Sequence, residues 1–293
     1  MKNATSLSRF PSSALRPWLA MSLSIAVCGL SPRADAVAVD SELLFLVDIT
    51  QTGMNDNQFD KLMDSYAASM TSSQVINSIQ SGAAGRIAVS MVFYGGTFTQ
   101  SVGVPWMSIS SMAEAQQFAN FVSNLTRPIS LTSPSISAAL EYATQRFGTE
   151  TGGAANGFES AVQVVEVVTA GLPVFPNPAA DQAARNAALA SGVDIINSIA
   201  VGNRSNTVEN YFASNVVGGS VGGVQGSSGR STINNNLDKY LATHFESTVD
   251  GGAEVSQAIA VPEPSSLLSS LAAAGFLLFR RRRHEHALTS GRA

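Results

Sequence analysis

The sequence predicts an α/β fold, a three-layer α/β/α sandwich with a central, mostly parallel sheet. Runs of apolar residues without alternation, such as LLFLV at 43–47, are typical of strands buried on both faces. Stretches with helical spacing separate these runs, so that strands and helices alternate along the chain. The chain has 293 residues, which is long enough for a domain that rests on its own core.

The strands are predicted in order from these apolar runs. Buried strands are expected at residues 41–50, 87–94, 161–171 and 193–202. Residues 98–109 contain Pro105, whose missing amide proton favours an antiparallel or edge strand. The segment 218–231 is rich in Gly and Ser and predicts a mobile loop.

Helices are predicted between the strands. The first covers residues 55–79, where Asn55 or Asp56 can cap its start. The others are expected at residues 111–125, 133–147, 177–192, 207–219 (a short helix or turn) and 232–247. In sheets of this kind ligands bind at the carboxyl ends of the strands. Asp48 lies at such an end.

The first 36 residues have the features of a secretory signal peptide. Three basic residues precede an apolar run at 18–30, and small-residue cleavage sites end at Ala36 and Ala38. The alternatives are a buried core helix and a lipoprotein site at Cys28, where the preceding valine is bulky for such a site.

The expected mature domain, residues 37–260, is acidic and contains no cysteine. It has 8 Lys and Arg against 18 Asp and Glu, a net charge of 8 − 18 = −10, compared with −4 for the whole chain. This charge disfavours binding to nucleic acid or anionic lipid. Without cysteine, thiol catalysis and cysteine-based zinc sites are excluded.

A weakly apolar span with a basic end follows the domain. Residues 265–279 carry no charge and would span roughly 22 Å as a helix, short of the ~30 Å hydrocarbon core. The positive-inside rule predicts that this short transmembrane segment keeps the residues after it, including the tail 284–293, in the cytoplasm. The basic residues are Arg280, Arg281, Arg282 and Arg283.

Residues 261–283, VPEPSSLLSSLAAAGFLLFRRRR, resemble the PEP-CTERM sorting signal of Gram-negative bacteria. The resemblance is carried by Pro262, Glu263 and Pro264, the apolar span and the arginine cluster. It implies processing by exosortase, transient anchoring in the inner membrane, and delivery to the cell surface or extracellular matrix. The alternative is an ordinary tail anchor that stays in place.

The domain offers few residues for catalysis. His244 is the one histidine of residues 37–260, and a surface or packing role is favoured over a Ser-His-Asp system. Phosphate-binding and dinucleotide-binding loop motifs are lacking. We therefore predict a non-enzymatic protein. A hydrolase of matrix polymer, using Asp48 with Asp56 or Glu166, is the weakest alternative.

Asp48, Thr50 and Thr52 alternate just past the first strand. Alternation aims one carboxylate and two hydroxyls into the same space, and these hard oxygen ligands suit Mg²⁺ or Mn²⁺. The simpler interpretation is that the two threonines cap and stabilise the loop.

The D-x-T-x-T pattern resembles the D-x-S-x-S motif of von Willebrand factor A domains, where it builds a metal-ion-dependent adhesion site. From residue 42 to about 245, further blocks in the same order resemble an uncharacterised bacterial branch of this family. These blocks are GRIAVSMVFYGG, VPWMSISS, SISAALEYATQRF, VQVVEVVTAG and VENYFASNVVGG. The resemblance implies the Rossmann-like α/β sandwich of that family and a binding or adhesion role.

Two positions depart from the family pattern. The family takes a threonine from the loop before SISAALEYA, where this chain has Pro134 with Ser133 as a substitute. Ala170 stands where the family has an aspartate, and alanine cannot bind a cation. The resemblance therefore implies a degenerate site with weak or lost binding of Mg²⁺ or Mn²⁺, formed by Asp48, Thr50, Thr52 and Ser133.

These observations together predict an exported, exosortase-sorted protein of the cell surface or extracellular matrix. Its domain is expected to act as a non-enzymatic binding or adhesion module for a surface protein or an exopolysaccharide. The alternative is a structural matrix protein whose metal site has decayed.

Overall fold

The computed structural model describes residues 36–51, 53–128, 133–202, 205–233 and 236–258. The predicted signal peptide, sorting signal, transmembrane segment and tail lie outside these residues, apart from Ala36. Within the described ranges, none of the helices combines the length and the apolar character needed to cross a membrane.

The central sheet is mostly parallel. Its strands are β2 (Glu42–Asp48), β3 (Ile87–Tyr94), β4 (Gln100–Ile109), β6 (Gln163–Thr169), β7 (Ile195–Val201), β8 (Gly218–Val221), β9 (Val224–Gln225) and β10 (Ser228–Ser231). Their order is β4-β3-β2-β6-β7-β8-β9, and β10 also pairs with β7. Strands β2, β3, β6, β7 and β10 run parallel to one another, whereas β4 is antiparallel to β3 and β8 to β7.

Two further strands, β1 (Val37–Val39) and β5 (Phe158–Ser160), form a small parallel sheet. The seven α-helices of the described residues are α1 (Asp56–Met70), α2 (Ser73–Ser81), α3 (Met112–Ser123), α4 (Ile136–Thr144), α5 (Pro178–Ala190), α6 (Ser205–Asn215) and α7 (Leu237–Ala258). A 3-10 turn covers Gly148–Thr151.

Helices cover both faces of the central sheet. Leu43, Phe45 and Val47 of β2 pack in one apolar core with α1, α2, α3 and α7. Leu44 and Leu46 point the other way, into a second core with α4, α5 and α6. Successive strand residues face opposite sides, so an uninterrupted apolar run fills both cores. The prediction of a three-layer α/β/α sandwich is confirmed.

Strand β4 lies at the edge of the sheet and is antiparallel to β3, as Pro105 predicts. Its pairing is irregular, because the register shifts between Val89 and Met91 of β3. Pro105 and Trp106 fall in this bulge. The Trp106 indole nitrogen donates to the Arg146 carbonyl, 2.9 Å away, which fixes the bulge against the α4 side.

The prediction of a mobile loop over residues 218–231 is wrong. This segment forms β8, β9 and β10, of which β8 and β10 lie one after the other along the outer edge of β7. Strand β7 is fully buried, so its edge amides and carbonyls need partners. Gly222 and Gly223, with φ of 57° and 87°, form the turn between β8 and β9.

Helix α7 also runs further than the predicted end at residue 247. Gly251 and Gly252 are helical, although such a pair usually ends a helix. A Cβ at Gly251 would lie 2.6 Å from Val224, and one at Gly252 would lie 3.0 Å from Ser41. The glycines therefore let α7 pack closely against the rest of the domain, which offsets their low helix propensity.

Candidate functional site

Three polar side chains meet at the carboxyl ends of neighbouring strands. Tyr94 ends β3, Asp48 ends β2 and Thr169 ends β6. These strands are adjacent and parallel, so their ends lie at one edge of the sheet, and all three side chains are on the face that α4 and α5 cover. We call these residues the Asp48 cluster.

Asp48 is buried, with 2% of its surface exposed, and both carboxyl oxygens have partners. Oδ1 accepts from the Thr50 amide at 2.8 Å, and Oδ2 lies 2.8 Å from the Thr169 hydroxyl. Burial raises the pKa of Asp48 to about 6, although hydrogen bonds from Thr50 and Thr169 and the charge of Arg127 oppose this rise.

The Thr169 hydroxyl links two loops. Its oxygen lies 2.7 Å from the Gly171 carbonyl and accepts from the Gly171 amide at 3.2 Å. A hydroxyl has one proton, so it donates either to ionised Asp48 or to the Gly171 carbonyl, and in the second case it accepts from protonated Asp48. Either arrangement ties the end of β2 to the end of β6.

Tyr94 completes the cluster from β3. Its hydroxyl is buried beside Thr169 and makes no hydrogen bond of normal geometry with the described residues. Burial, and then the nearby charge of Asp48, raise its pKa well above the ordinary value. Tyr94 is therefore a neutral phenol, and its hydroxyl is a buried hydrogen-bonding group inside the site.

The structure brings Asp48 and Thr50 together, and Thr50 is 1% exposed. Thr52 lies outside the described residues. The Ser133 hydroxyl accepts from the Val174 amide at 2.9 Å, so it contacts the loop after β6. Ala170 is buried directly after β6 and supplies no ligand.

This set of residues suits a divalent cation poorly. Asp48 and Thr50 provide hard oxygen atoms, but both carboxyl oxygens already have hydrogen-bond partners. Among the described residues, no group of three or more His, Cys, Asp or Glu side chains is arranged to hold a metal ion. The charge of a divalent cation here would be balanced by one carboxylate only. The cation would also compete with the Thr169 hydroxyl for the Asp48 carboxylate.

Sequence reasoning missed Thr169, Tyr94 and Asp181. Thr169 and Tyr94 share a signal with Asp48, since each is a polar residue that ends a buried apolar run. Asp181 in α5 gives no such signal. Its carboxylate accepts from the Tyr211 hydroxyl at 2.7 Å and from the Ser137 amide, which ties α5 to α6 and α4.

His244 has a structural partner. Its Nε2 lies 2.7 Å from Oε2 of Glu166, in the layer between the sheet and α7. Burial lowers the pKa of His244, but the charge of Glu166 and their hydrogen bond raise it more, so the net shift is upward. The packing role predicted for His244 agrees with this position, whereas a surface role does not.

The sheet separates two of the carboxylates proposed for a hydrolase, Asp48 and Glu166. Glu166 lies on the α7 face of β6, whereas Asp48 is on the α4 face of β2. The Asp56 side chain is 81% exposed and pairs with Arg127 at 3.0 Å.

The loops at the carboxyl edge are interlocked. The Ser135 amide donates to the Gly95 carbonyl at 2.7 Å, and Ser133 holds Val174. Gly53 lies so close to Ala170 that a Cβ there would be 2.3 Å from the Ala170 carbonyl group. We call residues 95–99, 133–135 and 170–177 the carboxyl-edge loops.

A family model described as "Protein of unknown function (DUF1194)" matches residues 38–246, which is more than half of the chain. The chain belongs to the DUF1194 family. None of the curated proteins compared with this DUF1194 chain matches it.

Several solved structures resemble the DUF1194 protein. Proximal thread matrix protein 1 from the mussel byssus has a TM-score of 0.50 and 12% identity, over 73% of this chain and 49% of that chain. Pilus adhesin SpaC from Lactobacillus rhamnosus GG has a TM-score of 0.50 and 9% identity, over 73% of this chain and 31% of the adhesin chain. A von Willebrand factor type A structure from Catenulispora acidiphila has a TM-score of 0.44 and 13% identity, over 73% of this chain and 43% of that chain.

At these identities the likeness concerns the fold alone. The DUF1194 chain spans about half of the mussel structure and about a third of the adhesin. The structures with a TM-score of 0.50 share the α/β fold of the described residues.

Proposed function

We propose that this DUF1194 protein is a non-enzymatic binding module of the cell surface or extracellular matrix. The observation that carries the proposal is the set of interlocked loops at one edge of a rigid sheet, around the Asp48 cluster. Loops held by a rigid scaffold are common binding surfaces. The separation of Asp48 from Glu166 supports a binding role over the hydrolase alternative.

Export and sorting are part of the proposal. They rest on the signal-peptide features of residues 1–36 and on the sorting-signal resemblance at 261–283. Exosortase is the processing partner, the inner membrane holds the protein transiently, and the final partner is a surface protein or an exopolysaccharide. A thread matrix protein and a pilus adhesin share the fold, so the architecture is compatible with such a role.

Binding to the surface material of the producing bacterium tests the proposal. Purified protein is titrated onto washed cell envelopes and onto isolated exopolysaccharide, and the bound fraction is measured. Saturable binding to either material is expected. No saturable binding to either overturns the binding module.

Binding of a divalent cation is tested by calorimetric titration of Mg²⁺ and Mn²⁺ into the native protein, with Asp48→Asn as the control. Asparagine can accept from the Thr50 amide and donate to the Thr169 hydroxyl, so it preserves the network and removes the charge. We expect weak binding or none in the native protein. Binding that is strong in the native protein and lost in the variant contradicts this expectation.

The second candidate is a structural matrix protein with a decayed metal site. Ala170 and the fully occupied carboxylate of Asp48 favour it. It predicts that Asp48→Asn changes neither localisation nor surface binding. Loss of surface binding in a folded Asp48→Asn variant contradicts this candidate.

A further inference from the structure

We infer that Phe98 and Phe175 on the carboxyl-edge loops are the partner-contacting residues, and that the partner is an uncharged polysaccharide. This inference rests on the proposed function and names the chemistry of its partner.

The exposure of these side chains is the first observation. Phe98 is 97% exposed, Phe175 is 89% exposed and Val174 is 64% exposed, which makes them the most exposed large hydrophobic residues of the described ranges. All three follow the carboxyl ends of strands, in the loop after β3 or the loop after β6. Both loops lie at the carboxyl edge, so these exposed apolar side chains offer a partner contacts on one side of the domain.

The stiffness of the backbone around each ring is the second observation. Phe98 sits in a tight turn, where the Gly95 amide donates to the Thr99 carbonyl at 2.8 Å and the Thr99 amide to the Gly96 carbonyl at 3.0 Å. Gln100 donates to the same Gly96 carbonyl through its side chain at 2.9 Å. The ring is thus presented on a backbone that loses little freedom when a partner binds.

Phe175 is held in a comparable way. Pro173 and Pro176 flank it closely and fix backbone φ on either side. The Val174 amide donates to the Ser133 hydroxyl at 2.9 Å, which attaches this loop to residues 133–135. Residues 133–135 in turn bond to Gly95 beside the Phe98 turn, so the two rings are mounted on one connected support.

The charge of these loops selects the class of partner. Residues 37–260 have a net charge of −10, yet residues 95–99, 133–135 and 170–177 contain no charged side chain. An acidic domain repels anionic polymers, and these loops offer no carboxylate to a cationic one. The exposed Asp56 carboxylate, which follows β2 at the same edge, is paired with Arg127. An uncharged partner is the electrostatic match.

The separate presentation of the rings favours a sugar chain over an apolar helix. An amphipathic helix needs a continuous apolar groove, whereas these rings stand on two different loops. The negative face of a phenyl ring attracts the C–H groups on the apolar face of a pyranose. Thr97 is exposed beside Phe98, and Asn177 is exposed near Phe175, so groups that can bond sugar hydroxyls lie close to each ring.

Native affinity electrophoresis tests the inference. The purified protein is run through gels that contain dextran, laminarin or galactomannan as uncharged polymers, or alginate as an anionic polymer. Phe98→Ala, Phe175→Ala and the double variant are compared with Met112→Ala, which removes an exposed apolar side chain at the opposite edge of the sheet. Thermal unfolding of every variant checks the fold.

We expect at least one uncharged polymer to retard the protein. Each phenylalanine variant should weaken that binding about tenfold, the loss expected for an aromatic contact residue, while Met112→Ala behaves like the native protein. The inference is overturned if only alginate retards the protein, or if none of the uncharged polymers does. It is also overturned if an uncharged polymer retards the double variant as strongly as the native protein.

Two further measurements separate the possible failures. Sedimentation velocity reports self-association, and a dimer that the double variant abolishes assigns the two rings to a second copy of the chain instead. If the double variant still binds cell envelopes as the native protein does, this inference fails and the proposed function stands. If the native protein binds neither envelopes nor isolated exopolysaccharide, both fail.

Discussion

Glu166 carries a carboxylate in the middle of the central sheet, where its surface is fully buried. One of its oxygens contacts His244, and the other has no hydrogen-bond partner among the described residues. The hydroxyl of Tyr66 is also buried without a partner in the described part of the chain, and the charge of Glu166 helps burial to raise its pKa. At the scale of the residue, His244 is the group that compensates a buried charge.

Removal of His244 should therefore destabilise the domain strongly. For His244→Ala we expect a loss of about 3–5 kcal/mol in the free energy of unfolding, because Glu166 is left as an unpaired buried charge. Urea unfolding measures this, and Ser247→Ala at an exposed position of α7 is the control. The double variant Glu166→Leu/His244→Leu should recover most of the loss, and a double variant as unstable as His244→Ala would refute the explanation.

The same pair predicts a pH dependence. The folded-state pKa of His244 is raised above its ordinary value, so the folded state binds the proton more tightly than the unfolded state. This stabilisation is complete below about pH 6.5 and is lost as pH rises through the folded-state pKa. Free energies of unfolding of the native protein and of Glu166→Gln are measured from pH 5 to pH 9, and the stability of the native protein relative to the variant should fall as pH rises.

Glu42 is a second buried carboxyl, and it is destabilising when ionised. Burial raises its pKa to about 7, although the Asn156 side chain and the Ser160 hydroxyl both donate to it. The folded state then loses stability as pH rises from about 4.5 to about 7. Glu42→Gln should remove this loss and raise the free energy of unfolding at pH 8 by about 3 kcal/mol.

The contacts of Glu42 allow its replacement by glutamine. The Ser160 hydroxyl lies 3.1 Å from the Val162 carbonyl as well as from Glu42, so it can donate there and accept from a glutamine amide. Unfolding of the native protein and the variant is compared at pH 4 and pH 8. An equal difference at both pH values would show that the carboxyl titration is not the cause.

At the scale of the element, the caps determine where helices begin. Asn55 and Gln58 form a capping box at α1, in which each side chain accepts from the backbone amide of the other residue at 2.9 Å. Ser135 occupies the corresponding position of α4, but its side chain makes no cap hydrogen bond. Asn55 and Ser135 are both common cap residues, but only the Asn55 side chain forms a cap hydrogen bond.

We expect Asn55→Ala to lower the free energy of unfolding by about 1 kcal/mol, the ordinary worth of an N-cap. Ser135→Ala should cost a few tenths of a kcal/mol at most, because the Ser135 amide keeps its bond to Gly95 in the variant. Chemical denaturation of both variants measures the difference. Equal losses would show that sequence alone, without cap geometry, decides the contribution.

The elements that sequence predicts well are those with local causes. The buried strands, their order of alternation with helices, and the edge position signalled by Pro105 follow from periodicity and from proline chemistry. The strands β8 to β10 and the C-terminal half of α7 do not, because their causes are tertiary. An unpaired edge of β7 recruits a glycine-rich segment, and close contact with Val224 keeps Gly251 helical.

The same distinction holds for the site. Asp48 and Thr50 are neighbours in sequence, and alternation places them together. Thr169 reaches Asp48 only because β6 pairs with β2, a contact across 121 positions that no local pattern encodes. Glu166 and His244 are likewise joined across the sheet and α7.

At the scale of the whole molecule, the sorting proposal makes a prediction about location. Alanines in place of Pro262, Glu263 and Pro264 should leave the protein in the inner-membrane fraction, because exosortase no longer recognises it. Fractionation and immunoblotting measure this, with Ser265→Ala/Ser266→Ala as the control. An unchanged distribution in the tripeptide variant would contradict processing at this signal.

The irregular edge strand β4 has a consequence for crowding. A regular, unpaired strand edge is a template on which a second chain can add its own strand and start an aggregate. In β4 the template is interrupted, because Pro105 lacks an amide donor and the bulge around it twists the edge out of register. Many copies of the domain can therefore be packed at high local concentration without growing into a common fibrillar sheet along this edge.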